Sequence, residues 1–345
     1  MQKQRFNKNF FIFLLSPFVF IYWLSVFIRN FFYKHHIFKT KSLPCKVISV
    51  GNITVGGSGK TPTVEYLSRL LQSKGIKVGI ISRGYGRKSK KTLIVTDGLI
   101  KPKSWENFGD EPYLLAQNLE NIPIVVGRSR YEAGIKMIEN FNPDIIIIDD
   151  GFQHLSLYRD LDIVLVNSKD TPAIHQLMPA GKLREPLSNL SRADLIILTK
   201  SNIHEPSNYL IKTIEMMNLP FIYNKIELDD VLLGFKIENR TLDKIKQQKI
   251  YIFSALGDQK GFNKTMENTG AIIVGHSRYP DHHHYTSNDL KNIVKKAKNN
   301  GASFLITTEK DMVKINDYSG SLDLFSVRVK LFFEPEDLLN NYLER

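Results

Sequence analysis

Residues 47–71, VISVGNITVGGSGKTPTVEYLSRLL, place an apolar run, a glycine-rich loop and a helical pattern in immediate succession. That order is what a phosphate cradle at the first turn of an α/β unit requires. Gly56, Gly57 and Gly59 permit close backbone approach, so successive N–H groups can face phosphate oxygens where the helix begins. Thr54, Val55 and Ser58 complete the eight-residue loop TVGGSGKT. Lys60 is placed to reach β/γ-phosphates and the Thr61 hydroxyl to ligate Mg²⁺. Pro62 follows in the first helical turn, where a missing N–H removes no helical hydrogen bond. The usual first glycine of G-x-x-x-x-G-K-[ST] is Thr54 here, and Gly51 lies three residues too early to replace it. The competing reading is a glycine-rich turn with a casual GKT. The strand before and the helix after favour nucleotide binding, with ATP and Mg²⁺ as the implied cofactors.

The remainder of the chain repeats this rhythm. Apolar runs at 46–50, 78–82, 93–96, 122–126, 144–148, 161–166 and 194–198 alternate with helical patterns at 61–73, 111–118, 129–141 and 207–217. Runs such as IIIID and LDIVLV lack the in/out alternation of a half-exposed sheet, which suits parallel strands covered on both faces. A second set begins near Phe221, with strands at 251–254, 272–274, 303–307 and 324–329 and a helix at 289–299. The expected class is therefore α/β: a P-loop NTPase-like, mostly parallel sheet flanked by helices, with a smaller C-terminal α/β portion. The polar stretch 238–248 suggests a boundary, giving 43–238 as nucleotide-binding core and 239–345 as a portion closing over an active site in the cleft between them. Residues 1–42 form a separate N-terminal segment.

That segment contains Phe10 to Ile28, nineteen residues without a formal charge, enough for a helix of about 28 Å. Lys3, Arg5 and Lys8 precede it, and Arg29, Lys34, Lys39 and Lys41 follow. Basic flanks with Tyr22 and Trp23 suit a bilayer boundary. Charge on both sides leaves open whether the helix spans the bilayer or lies in one leaflet. Pro17 offers a possible kink. A signal peptide would need a shorter apolar region and a small-residue cleavage site, and neither precedes Lys34. A buried helix of the soluble core is the remaining alternative. The net charge of +12 favours an anionic partner, but no aromatic–basic repeat or known motif points to nucleic acid. A single cysteine, Cys45, excludes an intramolecular disulfide and argues against thiolate metal clusters.

The other candidate residues are polar groups at element ends. PDIIIIDDGFQH closes an apolar strand with Asp149 and Asp150, a position from which a parallel sheet presents metal ligands; a solvated acidic turn is the alternative. GDEP places Asp110 and Glu111 before a helix, as caps or as proton acceptor and metal ligand. Arg83 and Arg87 in SRGYGR are either a phosphate clamp or exposed basic residues. YPDHHHY sets Asp281 beside His282, His283 and His284. Consecutive side chains alternate in direction, so zinc is a weak reading; an Asp–His pair aiding proton transfer competes evenly with a solvated loop. In AGKLREP and TTEKDMVK, Arg184 could contact an anionic substrate and Glu309, Lys310 and Asp311 could read ribose, base or metal, but ordinary loop ion pairing is the simpler reading of these residues alone.

Taken in order, the apolar N-terminus, VGNITVGGSGKTP, SRGYGR, GDEP, IIDDGFQH, GKLREP, PDHHHY and TEKD resemble the tetraacyldisaccharide 4′-kinase (lipid A 4′-kinase) family across nearly the whole chain. The resemblance implies transfer of the ATP γ-phosphate to the 4′-hydroxyl of a tetraacyldisaccharide 1-phosphate at the cytoplasmic face of the bacterial inner membrane. It implies a phosphorylated lipid disaccharide and the membrane surface as partners, no nucleic acid and no obligate protein partner. It also implies tolerance of a non-glycine at Thr54, Asp110 as base supported by Asp281 and His282, and Lys60 on the phosphates. Thr61, Glu111, Asp149 and Asp150 become magnesium candidates, directly or through a second layer; Arg83, Gln153, His154 and Arg184 become substrate or network residues. The competing function is a membrane-associated P-loop NTPase acting as a switch or assembly factor.

Overall fold

The computed structural model describes residues 2–172 and 174–344, with side chains from residue 15 onward. The side chains of Lys3, Arg5, Lys8 and residues 10–14 of the apolar run lie outside that set. The chain forms two compact units, one from Met1–Lys60, Ile145–Asn224 and Phe333–Arg345, the other from Thr61–Asp144 and Lys225–Phe332.

In the first unit, strand Lys46–Asn52 lies between Ile145–Asp149 and Leu161–Asn167, followed by Leu195–Thr199 and the start of strand Phe221–Gly234, all parallel. Every residue of the 145–149, 161–167 and 195–199 strands is buried. This accounts for their unbroken apolar sequence, since a parallel strand covered on both faces has no solvent side to mark with polar residues. Val50 pairs with Asp149, so the phosphate loop and the acidic pair leave the sheet at the same edge. Helix Gln2–Lys34 continues through Pro17. Its stretch Leu15–Lys34 is long and apolar enough to cross a membrane, and only 6% of that stretch is buried. Phe20, Trp23, Phe27 and Phe31 stack successively along one exposed face. The helix is tied to the unit by polar contacts: the Tyr22 hydroxyl donates to the Arg184 carbonyl at 2.7 Å, and Arg29 pairs with buried Glu185 at 2.8 Å.

The second unit carries two sheet segments. In one, Val78–Ser82 pairs in parallel with Ile124–Val126, and Leu93–Thr96 adds antiparallel. In the other, the order is Ile272–Arg278, Lys249–Ser254, Phe304–Thr308 and Asp323–Glu334, all parallel. Helices Lys60–Ser73, Asp110–Asn118, Arg130–Phe141, Gln259–Glu267 and Ser287–Asn299 accompany them. The polar stretch 238–248 holds a two-residue strand against 231–232 and a turn of 3₁₀-helix with buried Ile245.

Several ends differ from the sequence expectation for a local reason. Ser129 and Ser207 precede their helices as caps, their hydroxyls accepting from Glu132 and Leu210 N–H, because an N-cap oxygen satisfies a free donor of the first turn. Thr286 and Asp289 form a reciprocal capping box that starts the 287–299 helix two residues before Asp289. Helix Gln259–Glu267 starts at the cap Asp258, whose carboxylate accepts from the Gly261 N–H, but its apolar signature is reduced to Phe262 and Met266, the pair that packs its inner face.

Candidate active site

In the first unit the phosphate loop is shaped by its own backbone. Gly56 and Gly59 take φ of 117° and 88°, conformations that side chains disfavour, and helix 60–73 begins at Lys60. Asn52, the last strand residue, braces the loop by donating to the Thr54 carbonyl at 2.6 Å and to Ser58 Oγ at 2.9 Å. The Val55 N–H donates to Lys182 O at 2.8 Å, and Lys200 Nζ reaches Gly57 O at 3.3 Å. Thr54 explains its own departure from glycine: it is buried, bridges Leu183 and donates its hydroxyl to Asp170 at 3.4 Å.

Lys60 Nζ lies 3.5 Å from Asp150 Oδ1. Asp150 adopts a positive φ of 55°, tolerated better by Asp than by most residues. Its two carboxylate oxygens accept from Arg184 Nη1, each at 2.9 Å. The same guanidinium donates to Gln153 Oε1 at 3.3 Å, and Gln153 Nε2 donates to Asn52 O at 2.8 Å. The network therefore closes back on the residue that braces the loop. Asp149, buried at the strand end, directly precedes this group. His154 bonds Ser156 Oγ at 3.0 Å within its own turn. Thr61 follows Lys60 in the first helical turn and is nearly buried.

In the second unit Asp110 opens helix 110–118 and is only 4% exposed. Its Oδ2 lies 2.8 Å from His282 Nδ1, and its Oδ1 accepts from the Glu111 N–H at 3.0 Å. Burial pushes the Asp110 carboxyl up, but the His282 hydrogen bond and the Lys310 charge outweigh it and hold the group below its ordinary range. Asp110 is thus a carboxylate, which assigns the Nδ1 proton to His282 as donor. His282 takes a positive φ of 60°, and Asp281 Oδ1 accepts its backbone N–H at 3.0 Å. The Tyr85 ring packs 5.2 Å from the imidazole. The neighbouring histidines face elsewhere: His283 bonds Asp289 at 3.2 Å and His284 packs edge-on against Trp105. Three histidines in a row thus share no ligand position, and no group of three or more His, Cys, Asp or Glu side chains converges as metal ligands among the described residues.

Lys310, read from sequence as a loop ion pair, joins this cluster. Its Nζ donates to Glu111 Oε1 at 2.9 Å and lies 3.5 Å from Asp281 Oδ1. Burial alone would lower its proton affinity, yet Glu111, Asp110 and Asp281 raise it well above the ordinary lysine range. The signal for it was TEKD directly after an apolar strand. Arg83 is exposed where strand 78–82 ends, and Arg87 turns inward to donate to Lys91 O.

A profile described as LpxK, tetraacyldisaccharide-1-P 4′-kinase, matches residues 11–345. The chain belongs to the tetraacyldisaccharide-1-P 4′-kinase family. A tetraacyldisaccharide 4′-kinase of Aquifex aeolicus is 38% identical over 331 residues, covering 96% of this chain and 98% of the relative. One from Syntrophus aciditrophicus is 38% identical over 323 residues, covering 90% and 86%. The crystal structure of the Aquifex aeolicus "apo" form LpxK in complex with ATP aligns with a TM-score of 0.77 at 38% identity, covering 96% of this chain and 98% of that one. Membership in this kinase family supports phosphoryl transfer over a hydrolytic switch.

Proposed function

We propose that Asp110 accepts the proton of the acceptor hydroxyl in the family's reaction, transfer of the ATP γ-phosphate to the 4′-hydroxyl of a tetraacyldisaccharide 1-phosphate in lipid A biosynthesis. The observation that carries this role is the 2.8 Å contact between buried, ionised Asp110 and His282. A general base must be ionised and held in one orientation, and the imidazole N–H does the holding. As the hydroxyl oxygen forms its bond to the γ-phosphorus, its proton passes to Asp110 and the bond from phosphorus to the bridging oxygen breaks, releasing ADP. Asp281 fixes the backbone of His282.

Lys60 and the amides of Thr54 to Gly59 hold the triphosphate, as the loop's glycine conformations and the helix start favour. Arg184 and Gln153 keep Asp150 beside Lys60. The Thr61 hydroxyl and the Asp149 and Asp150 carboxylates are hard oxygen donors of the type magnesium prefers, and they fit as its holders. Bound magnesium would neutralise charge on the transferring phosphoryl group. Glu111, its carboxylate engaged by Lys310, belongs to a more distant layer. Arg83, exposed beside the second unit's cluster-bearing loops, and His154 are assigned to the acceptor's polar head. The exposed apolar helix 15–34 keeps the enzyme at the cytoplasmic face of the inner membrane, confining it with an acceptor whose acyl chains hold it in the same bilayer.

The test uses labelled ATP, Mg²⁺ and tetraacyldisaccharide 1-phosphate in mixed micelles. Asp110→Asn is expected to lower kcat by roughly 10²–10⁴-fold, the range for removal of a general base, with ATP affinity unchanged. Selective loss of ATP binding would instead assign Asp110 to the nucleotide.

A further inference from the structure

The TEKD segment has no place in the roles above, yet buried ion pairs and hydrogen bonds anchor it beside the Asp110 cluster. It forms the short helix Glu309–Met312 after strand Phe304–Thr308. Asp311 is fully buried and fixes the segment to the sheet: it accepts from the Ala255 N–H at 3.1 Å and the Thr308 hydroxyl at 2.8 Å, and pairs with buried Lys314 at 2.9 Å. Glu309 pairs with Arg328 at 2.7 Å, and Arg328 also donates to Asn118 Oδ1 at 3.2 Å, at the far end of the helix that Asp110 begins. Lys310 projects from this platform with its side chain only 18% exposed.

What distinguishes Lys310 from an ordinary ion pair is where its two partners lie. Glu111 is the chain neighbour of Asp110 and Asp281 is the chain neighbour of His282, so one ammonium grips the residue next to each member of the 2.8 Å pair. Those members are 172 residues apart in sequence, so side-chain contacts between their segments must hold them in register. Without the ammonium, Glu111 and Asp281 would join Asp110 as three carboxylates in one partly buried cluster, where like charges repel and drive the loop carrying His282 away from the helix.

We propose that Lys310 is a positioning residue: acting through Glu111 and Asp281, its ammonium sets the registry of His282 on Asp110 and thereby the rate of phosphoryl transfer. The inference rests on Asp110 as proton acceptor. Its expected signature is kinetic, because a base displaced by about 1 Å can lower turnover by about 10²-fold while leaving nucleotide binding intact.

The experiment compares Lys310→Met, Lys310→Arg and Lys310→Ala in the full-length, detergent-solubilised enzyme, with Asp110→Asn measured in parallel and folding checked by thermal melting. Lys310→Met is expected to lower kcat by about 30- to 100-fold with the KM for ATP changed less than about twofold. Lys310→Arg keeps the charge with a different fork geometry and should recover most of that loss. Millimolar propylammonium should raise the turnover of Lys310→Ala several-fold, with no such gain from sodium chloride at equal ionic strength. Turnover of Lys310→Met within threefold of wild type would overturn the proposal. So would a loss that Arg does not recover and propylammonium does not rescue, the pattern of a purely structural defect. If Asp110→Asn is inactive while Lys310→Met is not impaired, only the role of Lys310 fails; if Asp110→Asn keeps full turnover, the base assignment itself fails.

Discussion

The phosphate loop of the first unit and the Asp110–His282 cluster of the second solve the same problem, fixing a charged side chain, by opposite means. Around Lys60 the work is done by backbone: glycines at φ of 117° and 88°, a helix start, and one strand-end asparagine donating to two loop atoms. Around Asp110 it is done by side-chain ion pairs between segments separated by 172 and 199 residues. A backbone cradle survives the loss of one hydrogen bond among several. A cluster in which one ammonium serves two carboxylates has no such redundancy, so single substitutions there should act on rate more than on binding.

The largest expected effect tests the cradle. Lys60→Ala should lower turnover by more than about 10³-fold, since positioning and charge neutralisation of the phosphates supply most of the catalysis in phosphoryl transfer, and it should weaken ATP binding as well. His282→Asn should lower kcat by a smaller factor, about 10- to 100-fold, with the dissociation constant for ATP unchanged. Isothermal titration with ATP on both variants breaks the comparison if the histidine variant loses nucleotide affinity to the same degree as the lysine variant.

Legibility in sequence follows the same division. The loop, the acidic pair and the parallel strands were readable because their residue types are dictated locally: glycine by positive φ, apolar runs by burial on both faces. Family resemblance, not spacing, brought Asp110 and His282 together in the sequence reading; in the structure they lie 2.8 Å apart. Lys310 read as an ordinary loop lysine, because nothing in TEKD records that Glu111 and Asp281 lie within reach of it. Helix Gln259–Glu267 escaped for a related reason, its inner face reduced to Phe262 and Met266.

A smaller effect sharpens the backbone half of the comparison. Restoring the more usual glycine with Thr54→Gly should not improve ATP affinity. Thr54 is extended and buried, and its hydroxyl bonds Asp170; glycine would lose that bond and gain chain entropy in the unfolded state, together about 1–2 kcal/mol. The urea midpoint should fall while the nucleotide titration stays put. A variant with tighter ATP binding and unchanged stability would show that the loop, and not its anchor, is limited by the threonine side chain.

The smallest effect concerns how the second unit responds to acid, away from the reacting groups. His276 Nε2 lies 2.9 Å from Ser254 Oγ, and its Nδ1 accepts from Arg278 Nε at 3.4 Å, which leaves the imidazole neutral with its proton on Nε2. Burial and the Arg278 charge lower its pKa to about 4, from an ordinary 6.5. The unfolded chain therefore takes up this proton between pH 6.5 and 4 while the folded chain does not, so the histidine's contribution is intact above pH 6.5 and is lost progressively as pH falls toward 4. His276→Gln retains a donor for Ser254 and removes the titration. Urea unfolding at pH 7.5 and pH 5.0 should show a fall in midpoint for the wild-type chain that is smaller in the variant. Equal falls in both would place the acid sensitivity on other groups.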